Sequence, residues 1–230
     1  MGAGFTPAEE KLFFATADAV QRKLAETRDS GQALATVAAA FERFDRAFDS
    51  APAAARASVA CRAGCDTCCH ERVAVQAHEV LIAAEHVQRH FSPAELETLI
   101  ARAARHRAAF VARDPAEAAP PRTPCVLLRG GNCSIYTARP EACRAHHSND
   151  AAACRTNLEQ GNEAIDVHVR GVRGRMFAVM LGIDQAVEAE GFDDRAYDFG
   201  SALHAALTDS LCAIRWQRRE AAFPDECLEG

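Results

Sequence analysis

A chain of 230 residues that is 49% hydrophobic carries enough apolar side chain to bury a core without covalent staples. Its formal net charge of −6 argues against a nucleic-acid partner, because neutralising phosphates takes a basic surface. The N-terminus MGAGFTPAEEKLFF shows no basic leader followed by an apolar core, and no apolar run approaches the roughly 20 residues of a membrane span, so the expectation is a cytoplasmic protein with no membrane partner.

Phe13, Ala17, Val20 and Leu24, and then Leu34, Val37, Phe41, Phe44 and Phe48, recur every three or four residues and so line one face of a helix. Asp29-Ser30-Gly31 between the stripes is a helix stop, which predicts a helical hairpin over 7–49. Val80, Ala84, Val87 and Phe91 predict a further helix. Ser92-Pro93-Ala94-Glu95 is a capping box with proline at the first helical position, opening a helix that carries Leu96, Leu99, Ala103 and Phe110. Pro115, Pro120 and Pro121 make a loop of Asp114 to Thr123. Pro140-Glu141 starts a short helix with Cys143 on its first turn, where the positive helix end favours a thiolate.

A long helix is expected over 163–189, through Ile165, Val169, Val172, Met176, Val179, Ile183 and Val187, with one or two more between Asp193 and Arg219. Arg72 to Gln76 and Cys125 to Leu128 are weak strand candidates. The arginine groups at Arg102, Arg105 and Arg107, at Arg170, Arg173 and Arg175, and at Arg215, Arg218 and Arg219 read as solvated helix faces. The fold class that follows is all-α: one domain over 1–230, with an N-terminal helical hairpin in 1–60 and a C-terminal helical block in 156–230. These two blocks flank irregular cysteine-rich loops in 61–155.

Those loops hold eight of the ten cysteines. Cys61, Cys65, Cys68 and Cys69 fall within nine residues, and Cys125, Cys133, Cys143 and Cys154 follow. Only disulfides or metal keep thiols this dense together; in a reducing compartment, and in a chain with a core of its own, the expectation is metal. Gly64, Pro124, Gly130-Gly131-Asn132 and Pro140 supply the turns that let several side chains converge. Four thiolates suit zinc or an iron–sulfur cluster, foremost a 4Fe-4S cluster, so eight cysteines suggest two centres. Neighbouring side chains diverge, so Cys68 and Cys69 point to different centres. One division that suits their reach puts Cys61, Cys65 and Cys68 together and sends Cys69 to the later cysteines; a single cluster with bystander thiols stays open.

Each such centre carries a charge of about −2, which nearby cations must offset. Arg62, Arg72, Arg139, Arg144 and Arg155 lie close in sequence. His70, His146 and His147 are secondary candidates as ligands or proton carriers. Cys61-x₃-Cys65-x₂-Cys68 also has the spacing of the radical S-adenosylmethionine triad, but Thr67 stands where that motif has an aromatic residue, and no strand–helix alternation surrounds it. Tyr136, Trp216 and Phe223 read as packing residues, Cys212 as a buried structural thiol and Cys227 as incidental.

The blocks CRAGCDTCCH, Pro124-Cys125, CSIYTARPEACR from Cys133 to Arg144, and AAACR with Cys154 together resemble the YkgJ-type cysteine-cluster family, described as a zinc- or iron-chelating domain. The resemblance spans Cys61 to Arg155. It departs from the family's commoner C-x₂-C-x₂-CC at Cys61, where the spacing here is C-x₃-C-x₂-CC. The resemblance implies that Cys61, Cys65, Cys68, Cys69, Cys125, Cys133, Cys143 and Cys154 are the metal-binding set. It also brings iron–sulfur oxidoreductases and flagellin lysine-N-methylases into view, the latter similar in cysteine pattern.

Three functions compete. The first is a metal-binding protein that coordinates iron–sulfur clusters or zinc, with a redox role. The second is a cluster-dependent modifying enzyme, such as a protein lysine-N-methyltransferase-like protein. The third is Cu(I) or metal storage and delivery, which three methionines in all support poorly. No glycine-rich nucleotide cradle, serine–histidine–aspartate set or HExxH helix marks a catalytic residue.

Overall fold

Thr6 caps the first helix, α1 (Pro7–Leu24), in a computed structural model that describes residues 4–113, 122–161 and 163–229. The Thr6 hydroxyl accepts the Glu9 N–H, while the Glu9 carboxylate accepts the Thr6 N–H at 2.8 Å. Asp29 caps α2 (Ser30–Ala40) by accepting the Gln32 N–H at 2.8 Å. The hairpin expected over 7–49 forms, but its second arm breaks at Phe41. The Phe41 N–H bonds to the Ala38 carbonyl, a tighter winding than the α-helix, and α3 (Glu42–Asp49) starts from there. A short α4 (Ala53–Ala57) follows Pro52.

The strand candidate at Arg72 to Gln76 survives as β1 (Ala74–Val75), which pairs antiparallel with β4 (Tyr197–Asp198) in the register Ala74↔Asp198 and Val75↔Tyr197. Next comes α5 (Ala77–His90), whose residues from Ala77 to Ala84 are all buried. A helix buried on every side belongs inside a bundle. The predicted capping box opens α6 (Pro93–Val111), with the Glu95 carboxylate accepting the Ser92 N–H at 2.9 Å. Of the proline loop expected at 114–123, residues 114–121 lie outside the described residues. The Cys125 to Leu128 candidate contributes only Leu128 to β2 (Leu128–Arg129), which pairs with β3 (Asn132–Cys133). Gly130 and Gly131, at φ 53° and 75°, make the two-residue turn between them, a conformation in which side chains are strained.

Pro140 starts α7 (Glu141–Ala145) as expected. Helix α8 (Ala151–Gln160) was not foreseen; Asp150 caps it by accepting the Ala152 and Ala153 N–H groups at 2.9 and 3.0 Å, and Gly161 ends it in the left-handed region. The helix expected over 163–189 begins only at α9 (Arg170–Ala189). The preceding segment runs extended instead: Asn149 N–H donates to the Val167 carbonyl at 2.9 Å and Val169 N–H to the His147 carbonyl at 3.2 Å. Two helices, α10 (Phe199–Thr208) and α11 (Cys212–Gln217), complete the C-terminal block.

The all-α reading holds, with two-residue strands as the sheet content of the described residues. Among them no helix is long and apolar enough to cross a membrane. Helix α9 lies at the centre, packed by α1, α3, α4 and α7. Its stripe of Val172, Met176, Val179, Ile183 and Val187 is buried, each such side chain contributing on the order of 1.5–3 kcal/mol. Trp216 stacks on Phe192 with ring centroids 4.2 Å apart and Phe223 meets Tyr197 edge-on at 5.0 Å, so both close the core as expected.

Candidate metal centre

The first cysteine block is a loop tied to everything around it. Gly64 turns at φ 80° and donates its N–H to the Asn132 side chain at 3.2 Å, which anchors the loop to the β2–β3 hairpin. Cys65 N–H donates to the Arg62 carbonyl at 3.0 Å and Cys69 N–H to the Asp66 carbonyl at 2.8 Å, winding a 3-10 turn over Thr67–His70. The Cys69 carbonyl then accepts the Cys125 N–H at 2.7 Å, which sets the second block beside the first. His70 Nδ1 lies 3.1 Å from the Asp66 carbonyl, a contact that braces this turn.

Cys154 reaches the first block because α8 packs on the Thr67–His70 turn. Ser148 joins the two sides: its N–H donates to Cys61 Sγ at 3.3 Å, and its hydroxyl oxygen lies 3.0 Å from Cys154 Sγ. Cys61, Cys65, Cys68 and Cys154 line one small cleft, with His146 in its wall. The fourth thiol of this group comes from beyond the second cysteine block, and Ser148 is a linking residue that sequence reasoning missed; a lone loop serine carries no signal of its own.

Cys125, Cys133 and Cys143 interact with one another and with Cys68. Cys143, partly buried on the first turn of α7, feels the charges of Cys125, Cys68 and Cys133; Cys125 feels Cys133, and Cys133 feels Cys68. Cys68 interacts with Cys69 and with thiols of both sets, its charge acting on Cys61 and Cys154 as well as on Cys133 and Cys143. All ten cysteines are free thiols.

Burial governs their acidity. It pushes Cys143 well above the usual thiol range and Cys125 up to about 11, and it raises Cys61, Cys133 and Cys154 as well. For Cys68 the hydrogen bond with Cys69 is the larger cause and burial the second. The acidifying effect expected from the helix end at Cys143 is therefore outweighed by desolvation; α7 has only five residues. Thiols raised in this way become thiolates only when a strong positive charge sits among them, which is what a metal supplies.

Three arginines surround the group. Arg139 and Arg144 act on Cys133, and Arg139 also on Cys68. Arg139 lies 3.8 Å above the Tyr136 ring, so Tyr136, which is 64% exposed, holds an arginine rather than packing into the core. Arg102 leaves its expected solvated face to donate to the Cys125 and Leu128 carbonyls at 3.2 and 3.1 Å. Arg72, by contrast, pairs with Glu229 away from the thiols. His147 stacks on Phe48 with centroids 5.1 Å apart. Cys212 is buried as expected, and Cys227, expected to be incidental, is fully buried in the core.

Soft free thiols in two groups, with cations and a backbone N–H aimed at sulfur, are a donor set that fits zinc or iron. Residues 60–164, just under half of the chain, match the CxxCxxCC family model, described as "Putative zinc- or iron-chelating domain". No curated protein and no solved structure gives a significant match to the chain. The matched span contains all eight clustered cysteines, so this segment of the chain is similar to the zinc- or iron-chelating domains that the model describes.

Proposed function

We propose that the chain holds two iron–sulfur centres and serves in redox chemistry in a reducing cytoplasm. Cys61, Cys65, Cys68 and Cys154 bind one centre; Cys69, Cys125, Cys133 and Cys143 bind the other. The observation that supports this reading is that Cys61, Cys65, Cys68 and Cys154 line one cleft while Cys125, Cys133 and Cys143 interact with one another; Cys69 is given to the second set because its carbonyl accepts the Cys125 N–H.

Spacing favours iron over zinc. Zinc bonds at roughly 2.3 Å hold four thiolates about 3.8 Å apart. Among the described residues, no three of these sulfurs lie within 4.8 Å of one another. A four-iron cluster bonds each thiolate to a different corner and so accommodates wider spacing. When bound, such clusters pass single electrons. The chain's own residues then do two things: Arg139, Arg144 and Arg102 offset the negative charge, and Ser148 N–H donates to a ligand sulfur.

Anaerobically purified protein should be brown, bleach on reduction and contain roughly eight iron and eight sulfide per chain, four of each per cluster. Cys154→Ala and Cys143→Ala should each lose about half of that metal, because each empties one centre. Colourless protein with two zinc per chain would replace the redox role by an architectural one. Full metal in both variants would refute the division of ligands.

A further inference from the structure

A second set of ligating side chains lies outside the thiols. His78 stands on the first turn of α5, Glu141 at the start of α7 and Asp184 in the second turn from the end of α9, and one ligand atom from each falls within 4.8 Å of the other two. His78 and Glu141 are 0% and 1% exposed, while Asp184 is partly open. His78 Nε2 lies 2.9 Å from Glu141 Oε1, yet Glu141 Oε2 and His78 Nδ1 have no hydrogen-bond partner although both are buried. Orphaned polar atoms of this kind are costly in a core and ask for an unseen partner.

Neighbouring charges do not meet that need. Glu79 accepts the Gln76 N–H at 2.6 Å through one oxygen and the Glu141 N–H at 2.7 Å through the other, so it clamps the start of α7 and holds Glu141 in place. Arg144 acts on Glu141 but directs its N–H groups to the carbonyls of Arg139 and Thr137. A neutral imidazole and two carboxylates are brought to zero net charge by one dication, which removes the cost of burying the two anions.

We propose that His78, Glu141 and Asp184 form a thiol-free site for a divalent first-row metal cation, separate from the cysteine centres. One ligand comes from each of three packed helices, so the site is preorganised. The nitrogen-and-oxygen donor set suits Mn²⁺, Fe²⁺ or Zn²⁺ rather than the soft metals that thiols select. The partly exposed side at Asp184 provides access and room for water to complete the coordination.

Mn²⁺ is the probe, since it favours oxygen and nitrogen over sulfur. Titrated into the full chain with its cysteine-bound metal intact, Mn²⁺ should lose its free electron-paramagnetic signal until one equivalent is bound. Asp184→Asn, nearly isosteric, should weaken that binding by at least roughly 10-fold while leaving the iron and sulfide content unchanged. Absence of saturable Mn²⁺ binding to the wild-type protein, or equal affinity in Asp184→Asn, overturns the proposal. Should that variant not fold, Mn²⁺-soaked wild-type crystals decide: an anomalous peak among the three side chains supports the site, and a peak elsewhere or none overturns it.

Discussion

Asp193 shows how much one side chain can organise. Its carboxylate accepts the Tyr197 hydroxyl at 2.6 Å, the Ala222 N–H at 2.7 Å and Arg195 Nε at 2.9 Å, joining the chain after α9 to the C-terminal segment. Burial alone would raise this carboxyl, but the bonds from Arg195, Tyr197 and Ala222 outweigh it and hold the group below the usual Asp range. A depressed carboxyl contributes stability that is present above its unfolded value, about 3.9, and is lost as the pH falls through the lower folded value. Asp193→Ala should therefore cost on the order of 3 kcal/mol at neutral pH in urea denaturation, with a shallower loss than wild type below about pH 4. An unchanged acid limb would remove Asp193 as its source. Nothing in the sequence singled this residue out, because its donors come from positions as far away as Ala222.

Between elements, the contact of α1 with α9 depends on a missing side chain. A Cβ on Gly182 would sit 2.8 Å from the Phe13 carbonyl oxygen and 2.9 Å from Thr16 Cβ. Alanine's helix propensity would favour Gly182→Ala by about 1 kcal/mol. The backbone carbonyl cannot move aside, however, so overpacking of roughly 1–3 kcal/mol should win and lower the melting temperature. Helix α10 gives a second test. Asp198 caps it, accepting the Ser201 N–H at 2.8 Å, and lies 2.8 Å from His106 Nε2. Asp198→Asn keeps a capping oxygen but loses the carboxylate. It should cost about 1 kcal/mol at pH 7, and less below about pH 4, where the wild-type carboxylate is itself being protonated. The capping box at Ser92 was legible because its signal lies within four consecutive residues. The start of α9 was not: Ile165 and Val169 continue the helical period, but pairing of 167–169 with 147–149 takes their backbone into an extended run.

Across the whole molecule, the metal region and the helical core are separable in their support. The α1, α3 and α9 packing uses no thiol. Removing metal under reducing conditions should therefore leave most of the helical circular dichroism, while amides in 61–70 and 148–160 lose hydrogen-exchange protection. Complete unfolding on metal removal would show instead that the centres nucleate the core. The amino-acid sequence by itself determined the all-α class, most helices and the thiols to be considered, because periodicity, caps and cysteine spacing are local. Only the tertiary structure decided that Cys154 joins Cys61 through Ser148, and that His78, Glu141 and Asp184 meet. Those groups converge because burying the apolar stripes of α5, α7 and α9 folds distant segments together, and no local pattern encodes which distant side chains that burial brings face to face.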